Sequence, residues 1–249
     1  LVLDDGKAVI QLDGEGKRVA THPLPAGDGQ DFMMIRTATS RDGGRRYAVM
    51  TPGAEQVIVL DADWQQQLAY PDLEQHHEGI SQVVLTDLED DGQLELYVAF
   101  WGLAGVHRVE MDGERKWRYR GVSDVISLVA SPRNDVGWQK LLLTDRQGQL
   151  FQLNQFGNAD PVIDTDGIPL HHLFPGNPGK EAITRFCALS STRSQVLVGL
   201  DVQLRTRWRY PVSLGTFATQ VEMVTSTPLS SSEGGIWLVA AANGVVHMV

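Results

Sequence analysis

ISQVVLTDLEDDGQLELYVAFWGLAGVHRVEMDGERKWRYRG, residues 80–121, holds four runs of strand-forming residues separated by clusters of turn formers. ISQVVLTD, LELYVAF, VHRVEMD and RKWRYRG read as strands; EDDGQ, WGLAG and GE read as the turns between them. Connections this short join antiparallel neighbours, so the segment predicts one four-stranded antiparallel sheet.

The same grammar recurs along the chain. LAYP (68–71), WRYR (117–120) and WRYP (208–211) each begin seven residues after the acid that ends an apolar strand, namely Asp61 in VIVLD, Glu110 in VHRVE and Asp201 in VLVGLD. The residue before each acid serves as an anchor, giving Leu12, Leu60, Val109 and Leu200; aligning Gly148 of GQLFQLN with Gly244 of GVVHMV adds Leu153 and Val249. The successive intervals are 48, 49, 44, 47 and 49 residues. Four antiparallel strands in a repeat of this length form one blade of a β-propeller, so the expected fold class is all-β, a propeller of four-stranded blades. A β-sandwich has no reason to repeat Trp-x-Tyr at matched positions. LVLDDGKAVIQLDGEGKRVA resembles IWLVAAANGVVHMV, which places the second strand of a blade at both. Six blades are therefore sampled, four of them complete, as a six-bladed ring or the greater part of a seven-bladed one. Residues 1–249 are expected to be a single propeller domain, and a chain that begins at Leu1 is expected to be a piece of a longer protein.

Charge narrows the partners. Asp and Glu total 31 against 21 Lys and Arg, a net charge of −10 that would repel a nucleic-acid backbone or an acidic membrane surface. No run approaches the roughly 20 apolar residues of a membrane helix, so no membrane insertion is expected. The single cysteine, Cys187, excludes an internal disulfide and a CxxC redox pair.

Within the first unit quoted, DLEDDGQLE (87–95) sits on the turn between two strands and spaces its oxygen donors at positions one, three, five and nine. Asp87, Glu89, Asp91 and Glu95 supply carboxylates, Gln93 a backbone carbonyl, and Gly92 permits the reversal. Calcium takes six to eight hard oxygen ligands, and alternate loop positions point inward, so this is the candidate metal site. The alternative is a solvated acidic turn favoured by Asp-Gly alone. Equivalent turns, SRDGGRR around Arg45 and SPRNDVG around Asn134, lack the acids, so at most one such site is expected.

Two histidine pairs, His76 and His77 in EQHHEGIS and His171 and His172 in IPLHHLFPG, each enter the first strand of a blade. Imidazoles gathered there could hold a metal or exchange protons; the alternative is that each caps a loop. His77 and His172 are expected on one rim without a common metal. Trp117 and Trp208 recur at one blade position and read as buried packing elements rather than a ligand platform. Trp101 and Trp64 lack repeated counterparts and are the candidates for exposed contacts.

The pattern of Gly, apolar strand, Leu-Asp, polar turn and Arg/Lys-Trp, clearest in WGLAGVHRVEMDGERKWRY (101–119), resembles the repeats of quinoprotein-dehydrogenase-like propellers. LTDLEDDGQLELYVAF (85–100) resembles the FG-GAP repeat, in which a calcium loop joins the first two strands of a blade. The assembly is similar to propellers, frequent in planctomycete bacteria, that follow a thioredoxin-like redoxin domain. This resemblance implies an extracytoplasmic or periplasmic module acting on a protein partner or a covalently fused domain. A quinone enzyme of the resembled group would show an adjacent cysteine pair, so no quinone is expected. GxSxG and HExxH motifs are also missing. The reading is a non-catalytic interaction or structural propeller; the alternative is a metal-dependent hydrolase or oxidoreductase using the loops around the four histidines.

Overall fold

The computed structural model describes residues 1–25, 32–133, 136–176, 184–190, 195–212, 224–228, 235–240 and 245–249; Asn134 and Gly244 lie outside this set. The chain divides into two compact units, Leu1–Ser123 and Asp124–Val249. Among the described residues, each sheet is an antiparallel meander in which neighbours in sequence are neighbours in space. In the first unit β1 (Val2–Asp4), β2 (Ala8–Leu12) and β3 (Arg18–Pro23) form one sheet. A second holds β4 (Met34–Thr39), β5 (Arg45–Met50), β6 (Val57–Leu60) and β7 (Gln66–Tyr70); the third holds β8 (Ile80–Thr86), β9 (Glu95–Phe100), β10 (Val106–Val109) and β11 (Arg115–Tyr119). The second unit contains β12 (Ser127–Ala130), β13 (Leu141–Thr144) and β14 (Leu150–Leu153), then β15 (His172–Pro175), β16 (Phe186–Ser190), β17 (Val196–Leu200) and β18 (Thr206–Pro211). Its last sheet is β19 (Val224–Pro228), β20 (Gly235–Ala240) and β21 (Val246–Met248).

Apolar runs without polar alternation become strands covered on both faces. β9 is buried at all six positions and β13 at all four, and their Leu, Val and Phe side chains form the centres of the two units. In the first unit Val83, Leu96, Val98 and Phe100 pack with Val57, Val59 and Leu68 of the preceding sheet. In the second, Leu142 and Leu150 pack with Phe186, Ala188 and Val198.

The anchors occupy one structural position. Leu12, Leu60, Val109 and Leu200 each end the strand before the outermost one, and each pairs with the residue six places on: Arg18, Gln66, Arg115 and Thr206. Leu153 does the same with Ala159. Behind Leu12, Leu60, Leu153 and Leu200 the side-chain oxygen of Asp13, Asp61, Asn154 or Asp201 accepts backbone N–H groups from residues two and four places on, at 2.8–3.0 Å. The residue three places after each of these acceptors has φ of +63° to +80°, and a bulge follows the turns of Asp13, Asp61 and Asp201, the geometry of a type I turn with a left-handed closing residue. Glycine fills that position at Gly16 and Gly157, whereas Trp64 and Leu204 occupy it despite their side chains. Trp64 is held by stacking between His22 and Tyr47, with ring centroids 4.2 and 4.1 Å away. It is therefore not the exposed contact that its lack of a counterpart suggested. Trp101 is 38% exposed and remains one.

Two sequence expectations change. The fourth sheet has three strands, its outer strand reduced to the isolated bridges Leu153↔Ala159 and Leu150↔Ile163, because Pro161 between them has no N–H to give the ladder. Trp117 and Trp208 do sit at equivalent places, paired with Arg108 and Gly199, but both are half-buried. An outermost strand covers its aromatic residues from one side only. The indole of Trp208 lies so close over Gly199 that any Cβ there would overlap it. The fully buried tryptophan is Trp237 of β20, whose Nε1–H donates to Thr184 Oγ1 at 3.1 Å. Trp237→Ala is thus expected to cost about 3–5 kcal/mol, and Trp208→Ala about 2 kcal/mol, because part of its surface is already in water. Denaturant unfolding of the two variants checks the order; equal losses would contradict it.

Candidate functional site

Residues 87–94 join β8 to β9, and Leu88 and Leu94, both buried, pin the loop to the core at its two ends. Between them the backbone turns through Asp90 at φ +58° and Gly92 at φ +95°. Asp87 organises the turn: its Oδ1 accepts from Asp91 N at 3.1 Å and its Oδ2 from Gly92 N at 2.9 Å. Asp91 Oδ1 in turn accepts from Gln93 N at 2.8 Å. Asp90 points elsewhere and pairs with Arg41 at 2.8 Å.

Of the five sequence-predicted ligands, the structure gathers three. Asp87, Asp91 and Glu95 each offer a carboxylate oxygen within 4.8 Å of the others. Glu89 instead accepts from Arg108 Nη1 at 3.0 Å, and Gln93 is seen using its N–H within the turn. Glu95 is 1% exposed, and its oxygens are already engaged by Tyr97 Oη at 3.2 Å and Arg108 Nη2 at 3.1 Å. Burial pushes its carboxyl up to about 7, against the pull of Arg108. Arg108 also meets Glu110 at 3.2 Å, so one guanidinium faces three carboxylates. Glu89, Glu95 and Glu110 meet that cation, while Asp87 and Asp91 lie beside Glu95. Asp87, Asp91 and Glu95 are the carboxylates here that could hold a hard divalent cation.

Arg108 escapes attention in the sequence because it sits inside the strand VHRV, all four positions of which are buried. A signal exists nonetheless. The residues in its place before the other anchors are Gln11, Val59, Gln152, Gly199 and Met248, so the one unit with an acidic loop is also the one with an arginine there.

Among the described residues neither histidine pair belongs to a group that could hold a metal ion. His77 uses both ring nitrogens locally, Nδ1 accepting from Gly79 N and Nε2 donating to the Glu55 carbonyl, each at 3.0 Å. His76 is exposed. His172, half-buried at the start of β15, is driven down to about 4 by burial and by neighbouring His171, which burial also lowers. His77 belongs to the first unit and His172 to the second, and none of the four joins the acidic group. Two other histidines carry the repeated contact. Tyr70 Oη lies 2.7 Å from His107 Nδ1 and Tyr210 Oη 3.1 Å from His247 Nδ1, each joining an outermost strand to the next sheet across 37 residues. Burial lowers His107 to about 4, so this link is built with a neutral imidazole.

No family model and no curated protein matches the chain. Solved structures do. BBS1N in complex with ARL6DN, from a crystal soaked with lead, superposes with a TM-score of 0.60 over 99% of this chain and 76% of that chain, at 13% identity. A mercury-soaked crystal of the same complex gives 0.53 over 80% of this chain and 56% of that chain, at 14% identity. Likeness at this identity is a likeness of fold. With six antiparallel meanders, four of them repeating one capped turn, the chain is a β-propeller.

Glu95 gives this site a pH signature. A carboxyl raised from 4.5 to about 7 favours the protonated form in the fold, so its contribution is present below pH 4.5 and lost as pH rises through 7. At about 1.4 kcal/mol per pH unit, Glu95→Gln is expected to gain roughly 3 kcal/mol relative to the parent between pH 4.5 and 8 in chelator. Denaturant unfolding across that range measures it; a pH-independent difference would contradict the burial of an ionising Glu95.

Proposed function

We propose that the chain is a non-catalytic propeller module that engages a protein partner or a covalently fused domain, with one structural calcium ion clamping the 87–95 turn. The observation that carries the interaction reading is the likeness over nearly the whole chain to BBS1N, a propeller crystallised in complex with ARL6DN. The repeat resemblance supports the finer reading, a quinoprotein-like and FG-GAP-type module behind a redoxin domain, outside the cytoplasm. The arrangement of the acids supports the clamp. Asp87, Asp91 and Glu95 all come from one turn and the strand it feeds; Asp87 accepts from the Asp91 backbone, and Glu95 is tied to Arg108. An ion held there ties β8 to β9, which pair from Ile80↔Phe100 to Thr86↔Glu95, and leaves no ligand reserved for a substrate. Magnesium demands near-ideal octahedral geometry and suits such a turn less well. A metal enzyme built on the histidines is disfavoured by His77, whose two nitrogens are already committed.

Thermal melts with calcium, magnesium and chelator, on the parent and on Asp91→Ala, test the clamp. Calcium at a hundredfold excess over Kd stabilises by about 2.7 kcal/mol if it binds only the folded state; the rise is expected for calcium in the parent and not in the variant. Coincident melts would reduce the turn to an acidic loop. Elemental analysis of the same sample addresses the enzyme alternative: about one equivalent of zinc, iron or copper, lost on His77→Ala with His172→Ala, would overturn the non-catalytic reading.

A further inference from the structure

β11 is the last strand of the third sheet and has a sheet neighbour, β10, on one side only. From Arg115 to Arg120 it reads RKWRYR, four cations in six residues with no acid, on a chain whose net charge is −10. Arg115, Lys116, Arg118 and Arg120 are all exposed. Residues alternate across a strand, so Lys116, Arg118 and Arg120 share one face at a spacing of two. Trp117 and Tyr119, on the other face, are half-buried.

The equivalent strand in the second unit provides an internal control. On β18, Arg207 at the position of Lys116 is bound by Asp201, and Arg209 at the position of Arg118 lies 3.7 Å from Asp166. On β11, Lys116 is met by Glu114, but among the described residues Arg118 and Arg120 have no carboxylate partner. The charged groups bearing on the buried His107 from this strand are likewise Arg115, Arg118 and Arg120, all positive. Edge strands commonly carry a lysine or another charge that blocks pairing with a second copy. That accounts for one or two cations, and on β18 such charges are neutralised within the fold. It does not account for three, and Arg115, like Arg118 and Arg120, has no carboxylate partner among the described residues.

Resting on the reading of the chain as an interaction module, we propose that the free edge of β11 is the docking strand for an acidic, extended segment of a partner protein. The segment adds to the third sheet as a further strand and places carboxylates at every second residue against Lys116, Arg118 and Arg120. Main-chain hydrogen bonds along an open edge supply affinity, and the cross-strand ion pairs supply specificity. A second copy of this chain is a poor occupant, because its own β11 would bring cation against cation. A long polyanion such as single-stranded nucleic acid meets the repulsion of the remaining surface.

The test uses the full chain and a fluorescein-labelled peptide, Thr-Glu-Val-Glu-Thr-Glu-Val, followed by anisotropy at low and physiological salt, with the Lys-for-Glu peptide and an oligothymidine as competitors. Binding at least tenfold tighter than the Lys peptide is expected, with slowed amide hydrogen exchange over 115–119. Arg118→Glu with Arg120→Glu is expected to lower affinity at least tenfold, and Arg209→Glu on β18 to leave it unchanged. Arg118→Gln with Arg120→Gln serves the same purpose if the reversed charges impair folding. Equal binding of both peptides, full binding by either double variant, or preference for the oligonucleotide overturns the proposal. Full peptide binding by the double variants would sink the edge and leave the interaction reading standing, since the segment then docks elsewhere; that reading falls separately, on a catalytic transition metal at the histidines.

Discussion

A single side-chain oxygen that accepts two backbone N–H groups, from residues two and four places on, closes the turn behind Leu12, Leu60, Leu153 and Leu200. The turn sets the register of the outermost strand, and register in a half-covered strand decides which residues face the neighbouring sheet. With the anchor paired to the residue six places on, Tyr70 and Tyr210, ten places past Leu60 and Leu200, come within hydrogen-bonding distance of His107 and His247. A slip of one residue would turn both tyrosines away. The fold tolerates a left-handed Trp64 and Leu204 to keep this geometry, at about 1–2 kcal/mol each, offset by aromatic stacking at Trp64 and by core burial at Leu204.

The third sheet departs from the pattern, and its chemistry follows from the departure. Glu110 replaces the aspartate, and its backbone still makes the turn, with Glu110 N donating to the Glu114 carbonyl and Gly113 N to the Glu110 carbonyl, each at 2.9 Å. The longer carboxylate does not cap its own turn. It reaches Arg108, and Asp112 takes over the local bond to Glu114 N. Arg108 then ties the turn after β10 to the loop before β9 through Glu89 and Glu95. The candidate calcium site and the arginine network are therefore one electrostatic unit at one end of one sheet. On β11 of the same sheet, the uncompensated Arg118 and Arg120 leave the opposite charge facing outward.

Strands and their spacing were legible because burial on two faces and a fixed turn both write directly into sequence: apolar runs for the first, an acid one place after an anchor for the second. Asp87, Asp91 and Glu95 were legible for the same local reason. Glu89 was not, since its partner Arg108 lies 19 residues away in a strand that reads as plain core. The two Tyr–His links cross between sheets and depend on two registers at once, although both span 37 residues. The half-buried state of Trp117 and Trp208 is not legible, because sequence marks them as equivalent without saying that an outermost strand has a neighbour on one side only.

Hydrogen–deuterium exchange on Asp61→Ala tests the central role of the turn, since Asp61 accepts from Asp63 N and Gln65 N at 2.9 Å each. Losing the acceptor is expected to weaken the turn by roughly 1–2 kcal/mol, lowering protection of the β6–β7 amides about tenfold while the β4–β5 ladder keeps its own. Unchanged protection over 66–70, or a loss spread evenly through the sheet, would show that the register is held by packing and not by the turn.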